Sequence, residues 1–138
     1  QMLECMYNNN GIGLAAPQVG ILKRLVVVDC SDKSNIKKPL KLINPEIIKF
    51  SEKILEFEEG CLSLPTQYAK VKRPAEITVK FQNIEGVYCQ ERFSGIEATC
   101  IQHEVDHLNG KLFVDHVSKL KKNIIIKKLI KFKKINNK

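Results

Sequence analysis

Two histidines one helical turn apart are the most informative chemical feature of the sequence. His103 and His107 belong to a His-Glu-x-x-His pattern, and on a helix they project from one face about 40° apart around the axis, so both can reach one metal ion. Glu104 lies beside that face, where it can move the protons of a water molecule without becoming a ligand. The pattern predicts a metal-dependent hydrolase, although solvated side chains on an unrelated helix can also produce it.

Cys61 is the candidate third ligand. A catalytic zinc-like site needs three protein ligands and one open position, and a thiolate is a good ligand for iron or zinc. Cys61 follows a predicted strand and Gly60, whose lack of a side chain lets the backbone approach a bound molecule. A buried free cysteine that only fills space explains the residue equally well from composition alone.

The hydrophobic pattern predicts the elements that position these residues. An opening helix is predicted from Met2 and an irregular loop at 11–20, and β-branched or alternating runs predict strands, half-buried and antiparallel where they alternate. The predicted strands are 24–29, 40–50, 53–58, 77–81 and 86–93, with a bend or a sheet edge at Asn44-Pro45.

Two further helices complete the predicted order. Ile101, Val105, Leu108 and Leu112 fall on one face of a helix, and Asn109-Gly110 is a plausible end for it. A last helix is predicted from about Val117, and its possible apolar stripe comprises Leu120, Ile124, Leu129 and Ile130. Strands followed by helices favour the α+β class.

Length and composition predict one domain over residues 1–138, of which 43% are hydrophobic. No apolar run is long enough to span a bilayer and no signal peptide is evident, so we expect a soluble protein. Five cysteines at irregular spacings argue against a disulfide framework and favour a reducing compartment. Because Gln1 precedes a helix that is already under way, we also expect residues to be missing upstream.

Residues 116–138 carry nine lysines and no acidic residue, whereas the rest of the chain is close to neutral. We expect this basic C-terminal helix to belong to the same domain. Its charge serves solubility alone or attracts a nucleic acid in a salt-dependent way. Binding to a membrane surface is a lesser alternative, since Phe132 is the one aromatic anchor in the tail.

Three blocks, in this order, resemble peptide deformylase: residues 11–18 (GIGLAAPQ), 59–63 (EGCLS) and 102–108 (QHEVDHL). Residues 71–74 (VKRP) also look like this family, and the resemblance extends from the opening helix to about Asp115. It implies antiparallel or mixed sheets around a central metal-binding helix, with a C-terminal helix. It further implies hydrolysis of the N-formyl group from the formyl-methionine of nascent polypeptides, with release of formate.

The resemblance also implies the roles of individual residues. Cys61, His103 and His107 would bind one ion per chain, usually Fe²⁺, with Zn²⁺, Ni²⁺ or Co²⁺ able to replace it. Glu104 would act as base and then as acid, while the side chain of Gln18 and the backbone N–H of Leu62 would donate to the developing oxyanion.

The expected substrate-binding residues are Ile12, Gly13, Gly60, Leu62 and Cys100. The backbone at Ile12 and Gly13 would pair with an extended peptide, and Ile12, Gly60, Leu62 and Cys100 would border the methionine pocket. Ordinary core packing is the alternative for these residues. Asp106 is expected either to pair with Arg73 or to be solvated, and His116 is expected at the surface.

Two other functions remain as alternatives. An HExxH metallopeptidase is disfavoured because no third His or Glu follows at a protease spacing. A ribosome- or RNA-binding module that has lost catalysis is disfavoured by the intact Cys61, Glu104 and Gln18. A phosphate-binding loop at 11–13 is also disfavoured, because no Lys-Ser/Thr follows it.

Partners and location follow from the resemblance as expectations. We expect nascent formyl-methionine peptides as substrates, ribosome contact through the basic helix, and neither DNA nor membrane partners. The expected location is the bacterial cytoplasm or an organelle of bacterial descent.

Overall fold

The computed structural model describes residues 1–9, 11–31, 38–61 and 64–136. These residues contain seven strands and three α-helices. The helices are α1 (Met2–Asn8), α2 (Gly95–Leu108) and α3 (Lys119–Asn136). The strands are β1 (Gly13–Ala15), β2 (Leu25–Val28), β3 (Leu40–Phe50), β4 (Ile54–Cys61), β5 (Leu64–Pro74), β6 (Glu76–Gln82) and β7 (Tyr88–Ser94). Short 3₁₀ helices cover Ala16–Val19 and Phe113–His116. The predicted α+β class is confirmed.

The strands form two antiparallel sheets. The larger sheet has the order β1-β2-β3-β6-β7, and β4 pairs with β5 in a separate two-stranded sheet. β4 and β5 lie in the chain between β3 and β6, which pair with each other. The smaller sheet is therefore an insertion between two neighbouring strands of the larger one.

β3 bends at Asn44-Pro45. β2 pairs with residues 40–43, and the register between β3 and β6 shifts between Ile43 and Glu46. Asn44 has a positive φ of 50°, and Pro45 has no N–H to donate to a neighbouring strand. The predicted break is therefore a bend inside one long strand, located where pairing with β2 ends.

The short α1 is held against the larger sheet by Asp29. Tyr7 Oη donates to Asp29 Oδ2 at 2.6 Å, and the backbone N–H of Ser31 donates to Oδ1 at 2.9 Å. Burial alone raises the pKa of Asp29, but hydrogen bonds from Ser31 and Tyr7 outweigh burial and lower it. The same hydrogen bond raises the pKa of Tyr7 to about 12.

α2 is buried on more than one side. Ala98 and Ile101 are fully buried and pack in the core of the larger sheet with Val26, Val28 and Val79. The helix also contacts β4 and β5 of the smaller sheet. Because the buried residues of α2 include Thr99, Gln102, His103, Glu104 and His107, its second face places polar groups in the interior, where they need partners.

α3 packs on the smaller sheet along a narrow line. Ile125 is 3% exposed in a cluster with Val71 and Phe113, and Leu129 is partly buried against that cluster. The predicted apolar stripe is wrong for Leu120, Ile124 and Ile130, which are 72%, 41% and 52% exposed. None of the helices in the described ranges is both long and apolar enough to cross a membrane.

Candidate metal centre and active site

The smaller sheet and α2 bring three potential metal ligands together. Cys61 ends β4, whereas His103 and His107 lie one turn apart on α2. Cys61 Sγ is 3.2 Å from His107 Nε2, which is 3.3 Å from His103 Nε2. The three ligand atoms lie within 4.8 Å of one another. The structure therefore brings together the two histidines predicted from spacing and the cysteine predicted from the neighbouring motif.

The chemistry of this cluster fits a divalent cation. One thiolate and two imidazoles suit zinc, iron and similar metals. Beside them, Glu104 is 4% exposed, and its Oε2 has no hydrogen-bond partner among the described residues. An unpaired buried carboxylate oxygen is costly, so a bound water or substrate group next to a cation is the kind of partner that this atom lacks.

His103 is oriented by a buried ion pair. Its Nδ1 donates to Glu59 Oε1 at 2.9 Å, which directs Nε2 toward Cys61 and His107. Arg73 donates to both oxygens of Glu59, at 2.7 and 2.9 Å. Such partners fix the ring and the tautomer of a metal-binding histidine. Glu59 was missed as a site residue, although strand alternation from Leu55 through Phe57 indicates that its side chain faces inward.

Asp106 extends this network. Arg73 Nη1 donates to Asp106 Oδ2 at 2.8 Å, so Asp106 pairs with Arg73 rather than being merely solvated. His116 is exposed, as predicted, but its Nε2 is 2.7 Å from the same oxygen. Arg73 on β5 thus connects β4 to α2 through two carboxylates.

The site concentrates negative charge around the imidazoles. Burial alone lowers the pKa of His103, but hydrogen bonds with Cys61 and Glu59 and the nearby charge of Glu104 raise it to about 10. Burial raises the pKa of Glu104 to about 7, although His103 and His107 oppose the increase. The cluster therefore favours a positive charge at its centre, which a divalent cation would provide.

Gln18 points its amide nitrogen at the same place. Its Oε1 accepts the backbone N–H of Ala15 at 2.9 Å, and its Nε2 donates to Cys61 Sγ at 3.2 Å. The 3₁₀ helix Ala16–Val19 holds the residue beside the cluster. The amide therefore presents a donor next to the candidate ligands. Leu62, predicted as a second donor, lies outside the described residues.

Four of the five predicted substrate-binding residues line a cavity of about 700 Å³, whose walls also include His103 and Glu104; the fifth, Leu62, lies outside the described residues. Ile12, 44% exposed, Gly60 and Cys100 belong to its walls. Gly13 runs directly against α2, since a Cβ there would lie 2.7 Å from Cys100 Sγ and 2.9 Å from Glu104 Oε1. Absence of a side chain at Gly13 therefore permits the close contact between β1 and the helix.

A thiolate and two imidazoles that converge on one point, beside a carboxylate in a cavity wall, are the arrangement of a metallohydrolase centre. A sequence model of the polypeptide deformylase family matches residues 1–123. The chain belongs to this family, and the resemblance predicted from the three motif blocks is confirmed.

Individual relatives agree with this assignment. The chain is 50% identical to a peptide deformylase of Agrobacterium fabrum over 130 residues, 94% of this chain and 76% of that protein. The crystal structure of peptide deformylase from Ehrlichia chaffeensis is similar with a TM-score of 0.91 and 36% identity, covering 99% of this chain and 82% of that one. A class I type b peptide deformylase from Acinetobacter baumannii, solved with Met-Ala-Ser bound, has a TM-score of 0.79 and 39% identity, covering 84% and 76%.

Proposed function

We propose that the chain hydrolyses the N-formyl group of formyl-methionine on nascent polypeptides, with Cys61, His103 and His107 holding one divalent metal ion. The convergence of these three ligand atoms within 4.8 Å of one another, beside a Glu104 oxygen that has no partner in the described part of the chain, carries the proposal. Family membership supplies the reaction. The Acinetobacter baumannii relative binds Met-Ala-Ser, which has the free methionine terminus that deformylation would create.

Glu104 moves the protons in this reaction. When bound, a divalent cation polarises the formyl carbonyl and lowers the pKa of water. Glu104 accepts a proton from the attacking water and returns it to the leaving amine, so one carboxylate acts as base and then as acid. Glu104 lies in the cavity wall beside His103, which supports a role in proton transfer without a role as metal ligand.

Gln18 stabilises the negative oxygen that develops on the formyl group. Its amide is held by Ala15 before any substrate arrives, so little reorganisation is needed when charge develops. A fixed donor of this kind is worth roughly 3 to 4 kcal/mol in other oxyanion holes. The backbone N–H of Leu62 is proposed as the second donor.

Ile12 and Gly13 bind the substrate backbone. β1 is an edge strand of the larger sheet, so its free side can pair with an extended peptide. The methionine side chain then enters the cavity between Ile12, Gly60 and Cys100, with Leu62 proposed as a further neighbour. Because backbone pairing does not depend on side chains, peptides with many different downstream sequences should bind.

The proposed native metal is Fe²⁺, with Zn²⁺, Ni²⁺ or Co²⁺ able to replace it. One soft thiolate and two imidazoles accommodate all four ions. Metal analysis of protein purified anaerobically from its own source should find iron as the main ion. In air, iron-loaded protein should lose activity faster than nickel- or zinc-loaded protein, because a thiolate beside iron is exposed to oxygen chemistry. Equal lifetimes would contradict a redox-labile centre.

Formate release from formyl-Met-Ala-Ser tests the central assignment. Glu104→Gln should reduce kcat by at least about 100-fold while keeping one bound metal ion per chain. Glu97→Gln is the matched control, because Glu97 lies on the same helix but outside the cavity lining, and it should retain parental activity. Parental activity in Glu104→Gln would refute the role of Glu104. A folded, metal-loaded parent without formate release would refute the function.

We also propose that α3 contacts ribosomal RNA, which would place the enzyme near emerging chains in a bacterial cytoplasm or an organelle of bacterial descent. Lys127, Lys131 and Lys134 are exposed on the side of α3 opposite the buried Ile125. Changing all three to Glu should abolish co-sedimentation with ribosomes while leaving formate release unchanged. The control variant changes the exposed Lys41 and Lys49 of β3. Equal binding by both variants, or binding insensitive to salt, would contradict the proposal.

A further inference from the structure

Thr99 is a buried polar residue in the cavity wall to which the proposed chemistry assigns no role. It lies one helical turn before His103 and lines the same cavity, between Ile96 and Cys100. Thr99 is 5% exposed, and its Oγ1 has no hydrogen-bond partner within the described part of the chain. A buried hydroxyl without a partner is costly. Thr99 borders the cavity, and because a helical threonine side chain has two accessible χ1 rotamers, the hydroxyl can turn toward a partner that enters the cavity.

The distance from the formyl carbon to the sulfur of formyl-methionine matches the distance from His103 to Thr99 along α2. Four residues along an α-helix advance about 6 Å, which is the separation of Thr99 from His103 along α2. Five bonds connect the formyl carbon of formyl-methionine to its sulfur atom, and an extended chain of that length also spans about 6 Å. When the formyl group reacts beside His103 and Glu104, a side chain running along α2 ends level with Thr99.

We propose that the Thr99 hydroxyl donates a hydrogen bond to the thioether sulfur of the substrate methionine, which makes Thr99 a specificity-determining residue. This inference rests on the proposed deformylase function. Ile12, Ile96 and Cys100 offer mainly apolar or weakly polar contacts in the cavity and hardly distinguish sulfur from a methylene group. A thioether is a weak acceptor, so the hydroxyl would favour methionine only modestly over other substrate side chains of the same shape. The hydrolysis itself does not require it.

Competition between two substrates in one tube tests the assignment. The probes are formyl-Met-Ala-Ser and formyl-norleucine-Ala-Ser, which differ by sulfur against methylene. The measured quantity is the ratio of their kcat/KM values, from which the concentration of active, metal-loaded enzyme cancels. Thr99→Val keeps the shape of the side chain and removes the donor, so the ratio should shift toward norleucine by about three- to tenfold. Thr99→Ser keeps the donor and should retain the parental ratio.

The outcomes separate this inference from the function on which it rests. An unchanged ratio in Thr99→Val, or an equal shift in Thr99→Ser, would overturn the role of the hydroxyl while leaving deformylation intact. Absence of formate from both peptides with the metal-loaded parent would instead overturn the proposed function.

Discussion

Replacing Glu59 by Gln tests how strongly the metal centre depends on the ion pair behind it. Glu59 accepts three hydrogen bonds of 2.7 to 2.9 Å, two from Arg73 and one from His103. Gln keeps the shape, but it removes the charge and turns an NH₂ group toward donors. Breaking a buried ion pair costs about 3 to 5 kcal/mol, and loss of a partner that orients a ligand weakens metal binding about 10- to 100-fold. We expect both effects in Glu59→Gln.

Asp106→Asn provides the matched comparison. It removes the other carboxylate that binds Arg73, but Asp106 accepts no hydrogen bond from His103 in the described structure. It should lower the free energy of unfolding by less than Glu59→Gln and leave metal affinity within about twofold of the parent, since the orientation of His103 is kept.

Two measurements on each variant complete this test. Urea unfolding of metal-free protein gives stability, and competition for Zn²⁺ against a chelator gives affinity. Parental zinc affinity in Glu59→Gln would refute the reasoning, and so would an equal loss of affinity in both variants.

Three further perturbations probe separate parts of the molecule. Gly13→Ala places a methyl group within 2.9 Å of Glu104 Oε1, so formate release should fall about 10- to 100-fold with metal content unchanged; an active variant would refute the tight contact. Asp29, whose pKa is lowered, stabilises the fold above its ordinary pKa of 3.8, and this contribution disappears as pH falls through the lower folded value. Asp29→Asn should therefore lower the urea midpoint at pH ~7, and the gap from the parent should narrow as pH falls below 3.8; a gap that stays constant with pH would contradict this. Ile125→Ala should lower the free energy of unfolding in urea by about 2 to 4 kcal/mol. Ile126→Ala, at a site 40% exposed, should lower it by under about 1 kcal/mol, and equal losses would contradict the orientation of α3.

Local patterns in the sequence predicted most of the elements. The 3.6-residue period of α2 and the two-residue alternation of β6 depend on neighbours along the chain, so α2, β2, β4, β6 and β7 were all expected near their observed bounds. β5 was not predicted, because its inward positions include Ala69 and Arg73 as well as Val71. An inward arginine interrupts the apolar alternation, and its pairing with Glu59 and Asp106 makes the position acceptable.

The candidate site was harder to predict than the elements, because it depends on contacts between residues far apart in the sequence. The pairing of His103 with His107 follows from helix geometry, but the approach of Cys61 depends on how the smaller sheet packs against α2, which no local pattern encodes. The family resemblance supplied Cys61 and Gln18. Thr99 escaped notice because its burial is known only from the fold, and Glu59 because strand alternation gives the side that it faces but not its partners there. Likewise, three successive isoleucines in α3 do not reveal which one faces the body, and the structure assigns Ile125 to that position.

The division of the proposed ligands between a two-stranded sheet and a helix would link metal supply to the persistence of the folded chain. With an ion bound, Cys61 and His103 are joined across about 40 residues of sequence, so the ion acts as a reversible cross-link between the two layers. Stability then rises with the logarithm of free metal concentration. Chelation should shorten the lifetime of the folded protein as well as stop turnover, so cells short of metal would lose enzyme molecules to proteolysis in addition to losing their activity.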